Sequence, residues 1–105
     1  MLLRNLFACL FMTEALNATA AEFHVDQKDK QFSVSHLKIK AGDTVNFVNT
    51  DPFFHNVFSL SDARTFDLGS YPQGQGRTIT FNDPGAVEVE CAIHSQMKLV
   101  IEVTK

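Results

Sequence analysis

The chain has 105 residues, enough for one domain, with 12 acidic and 9 basic residues and a net charge of −3. That sign, with no basic cluster and no glycine-rich phosphate loop, argues against nucleic-acid binding. Ten Phe, one Tyr and no Trp are the unusual notes in an otherwise ordinary globular composition.

Residues 1–20 read as a secretory leader. Arg4 supplies the basic start, residues 6–12 form a short apolar run, and Ala18-Thr19-Ala20 is a small-x-small cleavage signal. Glu14 and Asn17 are unusual in a leader, and the competing reading is an amphipathic N-terminal helix that stays attached. The apolar run is too short to cross a bilayer, so no stable membrane insertion is expected. Leu6-Phe7-Ala8-Cys9 is faintly like a lipoprotein box, but it lies too near the start. The expected organisation is a leader over 1–20 and a single domain over 21–105, exported to the periplasm. Removing the leader takes away Arg4, Glu14 and Cys9, which leaves the net charge unchanged and Cys91 as the lone cysteine. Oxidising compartments favour paired cysteines. A lone exported thiol therefore calls for a metal, an intermolecular bridge or burial. A bound metal would also help to stabilise so small a domain.

Beyond residue 21 the dominant period is two, with turn residues at short intervals. Phe23 and Val25 define a first strand, and Gln27-Lys28-Asp29-Lys30 reads as a polar turn. Phe32, Val34, Leu37 and Ile39 form a second extended segment, and the phase slip near Ser35-His36 predicts a bend or bulge. Ala41-Gly42-Asp43 is a turn, and residues 44–49 are the next strand, with Val45 and Phe47 on one face. Pro52 breaks the pattern, and residues 55–60 resume it as a short apolar strand. Residues 61–76 read as a long loop with one helical turn near 62–66. Residues 77–82 alternate again, Asp83-Pro84-Gly85 turns, and Val87, Val89 and Cys91 share an inward phase. Leu99, Ile101 and Val103 do the same on the last strand. Seven or eight short strands and no convincing helix predict an all-β, antiparallel Greek-key sandwich.

Cys91-Ala92-Ile93-His94-Ser95-Gln96-Met97 joins the last two strands. It offers a thiolate, an imidazole and a thioether within seven residues. Soft sulfur donors with imidazole prefer copper to hard cations. The set needs a second imidazole, and His55 is the best placed of the remaining histidines. His24 and His36 stand in no motif and read as surface residues. Phe53 and Phe54 read as loop or core packing more readily than as a docking patch.

At these residues the chain resembles the cupredoxins, the small type 1 blue copper proteins of the amicyanin and plastocyanin kind. The ordered set is Gly42-Asp43-Thr44, His55-Asn56-Val57 and Cys91-x-x-His94-x-x-Met97, within a likeness running over residues 32–103. The short ligand loop is similar to that of amicyanin, and Phe66-Asp67-Leu68-Gly69-Ser70-Tyr71-Pro72 is similar to methylamine-utilisation members. The resemblance implies one copper per chain, with His55, Cys91 and His94 as strong ligands and Met97 as the weak axial one. It implies that Asn56 donates its backbone N–H toward the sulfur and ties the two ligand loops with its side chain. Asn49 and Asp51 would brace the first loop. Val89 stands where many members have an aromatic residue, and Ser95 where many have Pro, which implies a more mobile or wetter loop.

The implied function is a monomeric one-electron carrier serving a periplasmic partner such as a cytochrome c or an oxidoreductase. The mild acidity would favour a basic docking face on that partner. The alternative is a protein for copper tolerance, delivery or sensing that uses the same donors. Catalysis is not expected: a Cys and His pair can form a nucleophile and base, but the sequence shows no recognisable residue to orient the base. Zinc would also suit the donors, as an artefact of expression.

Overall fold

Alternation puts every second side chain on one face of a strand, and the strands here bury that face. The computed structural model describes residues 19–105, so residues 1–18 of the leader expected over 1–20, with Cys9, lie outside the described residues. Among the described residues there are nine strands and no helix: β1 (Glu22–Lys28), β2 (Gln31–Phe32), β3 (His36–Lys40), β4 (Asp43–Asn49), β5 (His55–Ser59), β6 (Phe66–Tyr71), β7 (Gly76–Phe81), β8 (Gly85–Glu90) and β9 (Lys98–Thr104). They form two sheets, β2-β1-β4-β7 and β3-β9-β8-β5-β6.

The sandwich is the expected architecture, but two of its pairings are parallel. β1 runs parallel to β4, from Glu22 beside Thr44 to Gln27 beside Asn49, and β3 runs parallel to β9. Alternation reports faces, not neighbours, so it could not reveal this. The bend expected near Ser35-His36 is where the chain leaves one sheet and enters the other, between β2 and β3. The loop expected over 61–76 contains β6, an edge strand paired with β5 from His55↔Tyr71 to Ser59↔Phe66. Its short, glycine-bearing run and the register shift between Asn56 and Phe58 hide it from a period count. No helical turn forms at 62–66.

The core lies between the sheets. Val25, Val45, Phe47, Ile79 and Phe81 come from one side, and Ile39, Val57, Val87, Val89, Leu99, Ile101 and Val103 from the other. Each such side chain gives about 1.5–3 kcal/mol on leaving water. Gln27, expected in a turn, is instead buried in β1, where its side-chain oxygen accepts a hydrogen bond from the Tyr71 hydroxyl at 2.8 Å. The open side between β6 and β7 is stitched by arginines: Arg64 Nε donates to Thr80 O at 3.0 Å and Arg77 Nη1 to Leu68 O at 2.7 Å.

Gly85 starts the strand that ends beside Cys91. Its φ is 143°, and an added Cβ would lie 2.8 Å from Ala63 Cβ. Gly42, with φ 98°, faces open space. Gly85→Ala should therefore cost about 1–3 kcal/mol in urea unfolding, more than Gly42→Ala. Equal costs would contradict this packing.

Candidate metal centre

Two loops meet at one end of the sandwich. The first, 50–54, leaves β4 and delivers His55 as the first residue of β5. Asn49 closes it. Its buried side chain donates to Phe53 O at 2.8 Å and Tyr71 O at 2.9 Å, and accepts from Asp51 N at 2.8 Å. All three of these bonds are made inside the fold, so the loop has one shape. The second loop, 91–97, follows β8. Met97 N donates to His94 O at 3.0 Å, which turns the chain back into β9. The Asn56 side chain ties the loops together, accepting from Ala92 N at 2.7 Å. That is half of its expected role. No hydrogen bond from the Asn56 N–H to sulfur is present among the described residues.

His55, Cys91 and His94 converge. His55 Nδ1 lies 3.7 Å from Cys91 Sγ and 3.1 Å from His94 Nδ1. One donor atom from each lies within 4.8 Å of the others, and among the described residues this is the one such group of His, Cys, Asp or Glu. Donors held at about 2.0–2.3 Å from a shared ion stand roughly 3–4 Å apart, so these separations fit one ion. The chemistry fits as well. Two imidazole nitrogens and a sulfur aimed at one point need a cation or a shared proton between them. His55 is fully buried, Cys91 and Met97 are each 1% exposed, and His94 is part-buried. Met97, the last residue of the loop that carries His94, is in the core cluster with Cys91.

Asp51 does more than brace a loop. Its carboxylate accepts from Asp29 N at 2.7 Å and Lys30 N at 3.0 Å, and its Oδ2 lies 2.7 Å from His55 Nε2. Burial alone would raise its carboxyl pKa. The hydrogen bonds from His55, Lys30 and Asp29 outweigh burial and hold it below the ordinary range. An ionised carboxylate only accepts, so His55 carries its proton on Nε2 and presents the Nδ1 lone pair to Cys91 and His94. Asp29 and Lys30 both have positive φ, 55° and 59°. The carboxylate that anchors the ligand histidine thus also holds this strained turn. The Asp51-x-x-x-His55 spacing was visible in sequence, but nothing there brings the 29–30 turn to it.

His94 faces outward. Desolvation, followed by the electrostatic influence of His55 and Lys30, lowers its pKa, the direction that favours the neutral imidazole a metal donor needs. Phe53 packs on both imidazoles, with ring centroids 5.3 Å from each. Phe53, Phe54 and Ile93 are 36%, 54% and 51% exposed, so Phe53 packs within its loop as expected and all three also present apolar surface. Lys30 Nζ stands 5.7 Å from the centre of the Phe53 ring, a positive rim on an acidic protein. His24 is exposed outside the cluster. So is His36, whose Nε2 is 3.9 Å from Glu102.

Comparison with known proteins points the same way. A family model described as copper binding proteins of the plastocyanin/azurin family matches residues 19–104. The methylamine utilization protein MauL of Methylorubrum extorquens is 30% identical over 90 residues, covering 85% of this chain and 79% of that protein. Chloroplastic plastocyanin of Physcomitrium patens is 31% identical, over 90% of this chain and 63% of its own. The reduced Cu(I) structure of an amicyanin variant matches with a TM-score of 0.72 and 25% identity, over 85% of this chain and 87% of that one. A copper-containing nitrite reductase of Thermus scotoductus matches with a TM-score of 0.74 and 28% identity, but this chain spans only 23% of it.

Asp51→Ala strands the His55 Nε2–H and two turn amides. In metal-free protein it should cost about 1–3 kcal/mol in urea unfolding. An unchanged midpoint would show that Asp51 does not hold the loop.

Proposed function

We propose that this chain, which belongs to the plastocyanin/azurin family of copper binding proteins, is an exported one-electron carrier. Copper is its cofactor. The residues that would hold it are His55 and His94 through Nδ1, Cys91 through Sγ, and Met97 as the weak fourth donor. The observation that carries this reading is the convergence of His55 Nδ1, His94 Nδ1 and Cys91 Sγ on one point. When bound, the metal supplies a one-electron couple between Cu(I) and Cu(II), which a trigonal set of two imidazoles and a thiolate suits.

The chain's own residues do the rest. Asp51 fixes the ring and proton of His55, and Asn56 fixes the distance between the two loops. Rigid donors change little between oxidation states, which favours fast transfer. The buried sulfur and His55 keep water off the centre. His94, bordered by Phe53, Phe54 and Ile93, is the way out: an apolar partner face pressed there would come close to a ligand ring. The partner is a redox protein, such as a cytochrome c or a periplasmic oxidoreductase. Its docking face meets an apolar patch rimmed by Lys30, so the acidity of the whole chain is a poor guide to that contact.

An enzyme reading must be answered, because Cys91, His55 and Asp51 stand in nucleophile, base and carboxylate order. The sequence had offered no orienting carboxylate, and Asp51 supplies one. A nucleophile must nevertheless meet its substrate, and Cys91 is 1% exposed. The cavities along β8 are lined by residues such as Ser61, Glu88 and Glu90, or Lys98 and Val100, and neither Cys91 nor His55 borders them. That favours a ligand over a nucleophile. The alternative of copper handling uses the same donors. The exposed His24 and His36 add nothing to the cluster, which removes part of its appeal.

Purified protein should bind one copper and show an intense visible thiolate-to-copper band. Cys91→Ser should abolish the band, and a band that survives would overturn the ligand assignment. Electron self-exchange separates the two roles: a fast rate supports the carrier, and a slow rate with ready copper loss supports handling.

A further inference from the structure

The Gly42-Asp43-Thr44 motif lies far from the ligands in sequence and forms no part of the metal cluster. Asp43 is nonetheless a buried carboxylate, 6% exposed, at the start of β4. Its Oδ2 accepts from Lys40 N at 2.9 Å, across the turn that joins β3 to β4. Its Oδ1 accepts from Ala21 N at 2.8 Å, 22 residues away. Ala21 is held from its other side too, since its carbonyl accepts from Thr44 N at 3.0 Å. The residue expected to begin the exported chain is thus pinned by both of its backbone polar groups, and its nitrogen points at a buried negative charge.

We propose that Asp43 is the receptor for the amino terminus that leader removal creates. The inference rests on the export reading above. An endopeptidase that reads small side chains hydrolyses the Ala20–Ala21 bond. Water adds across it, the leader leaves with the Ala20 carboxylate, and Ala21 keeps the nitrogen as an α-ammonium. Before the cut, Asp43 Oδ1 meets one neutral amide N–H. Afterwards it meets a cation with three N–H donors in the same place. Charge-assisted hydrogen bonds are about twice as strong as neutral ones. Ala21 itself is exposed, so the pair lies at the surface on one side and solvent weakens it.

The geometry also distinguishes the two possible products. Thr19-Ala20-Ala21 is a second small-x-small sequence, and cleavage one residue later would start the chain at Glu22. Asp43 would then lose the Ala21 amide and keep only its bond to Lys40 N. That oxygen would then face solvent in place of a fixed donor. Cleavage after Ala20 is the one that fills the site.

The test uses metal-free chains that start at Ala21 with a free or an acetylated α-amine, each with Asp43 and with Asp43→Asn. Urea unfolding is read at a pH where the amine is charged. Acetylation should lower the folded-to-unfolded ratio by about two- to fivefold with Asp43, and by clearly less with Asp43→Asn. Equal losses in both backgrounds overturn the pairing. A third chain, carrying one extra glycine ahead of Ala21, needs no change at Asp43 and should match the acetylated chain. If it is as stable as the free chain, the pairing is wrong even if Asp43→Asn does not fold. Mass measurement of the chain secreted from the full sequence tests the cut separately. A start at Ala21 supports the proposal, and a start at Glu22 overturns it. A retained Met1 sinks the export reading while leaving the ion-pair test on the shortened chain intact.

Discussion

The Asp51 carboxylate ties the first ligand histidine to a turn more than twenty residues away. One carboxylate takes two amides of a left-handed turn and one imidazole proton. Take it away and three donors lose their partner, one of them on the fully buried His55. Keep it, and the His55 ring has one orientation and one tautomer, with its Nδ1 lone pair facing Cys91 and His94. The metal cage is thus specified by bonds that the protein makes before any ion arrives. Such outer partners commonly change metal affinity by about 10- to 100-fold when removed.

The two sheets supply what a single loop cannot. His55 and Cys91 are 36 residues apart in the chain. They meet because β5 pairs with β8 through Phe58 and Glu90, and because Asn56 binds the next loop at Ala92. Met97 is brought back beside the end of β8 because β9 pairs with β8 from Glu90↔Lys98 to Gly85↔Val103. The site is rigid on its buried side and open only at His94, among apolar side chains. A buried, preset centre with one part-exposed ligand edge suits one-electron exchange between proteins.

Much of this was legible in the sequence, and what was not has physical reasons. His55, Cys91, His94 and Met97 announce themselves because few chemistries use those residue types at that spacing. The alternating strands show themselves because one face is buried. Strand neighbours do not: the β1–β4 and β3–β9 pairs join segments that no turn connects. β6 was missed because an edge strand with Gly69 and a register shift leaves little alternation. Gln27 was misplaced because its burial depends on the hydroxyl of Tyr71, 44 residues on. The exposure of Phe53 and Phe54 was also hidden, since apolar pairs are usually inside. Asp51 was read as a brace, but its contact with His55 depends on a loop shape that Asn49 imposes.

The most direct test is X-ray absorption at the copper edge of the loaded protein. One short sulfur neighbour and two imidazole nitrogens, unchanged in number between the oxidised and reduced forms, is the expected first shell. A shell of nitrogen and oxygen alone, with no sulfur, would contradict it: copper would then be bound somewhere other than the point where residues 55, 91 and 94 converge.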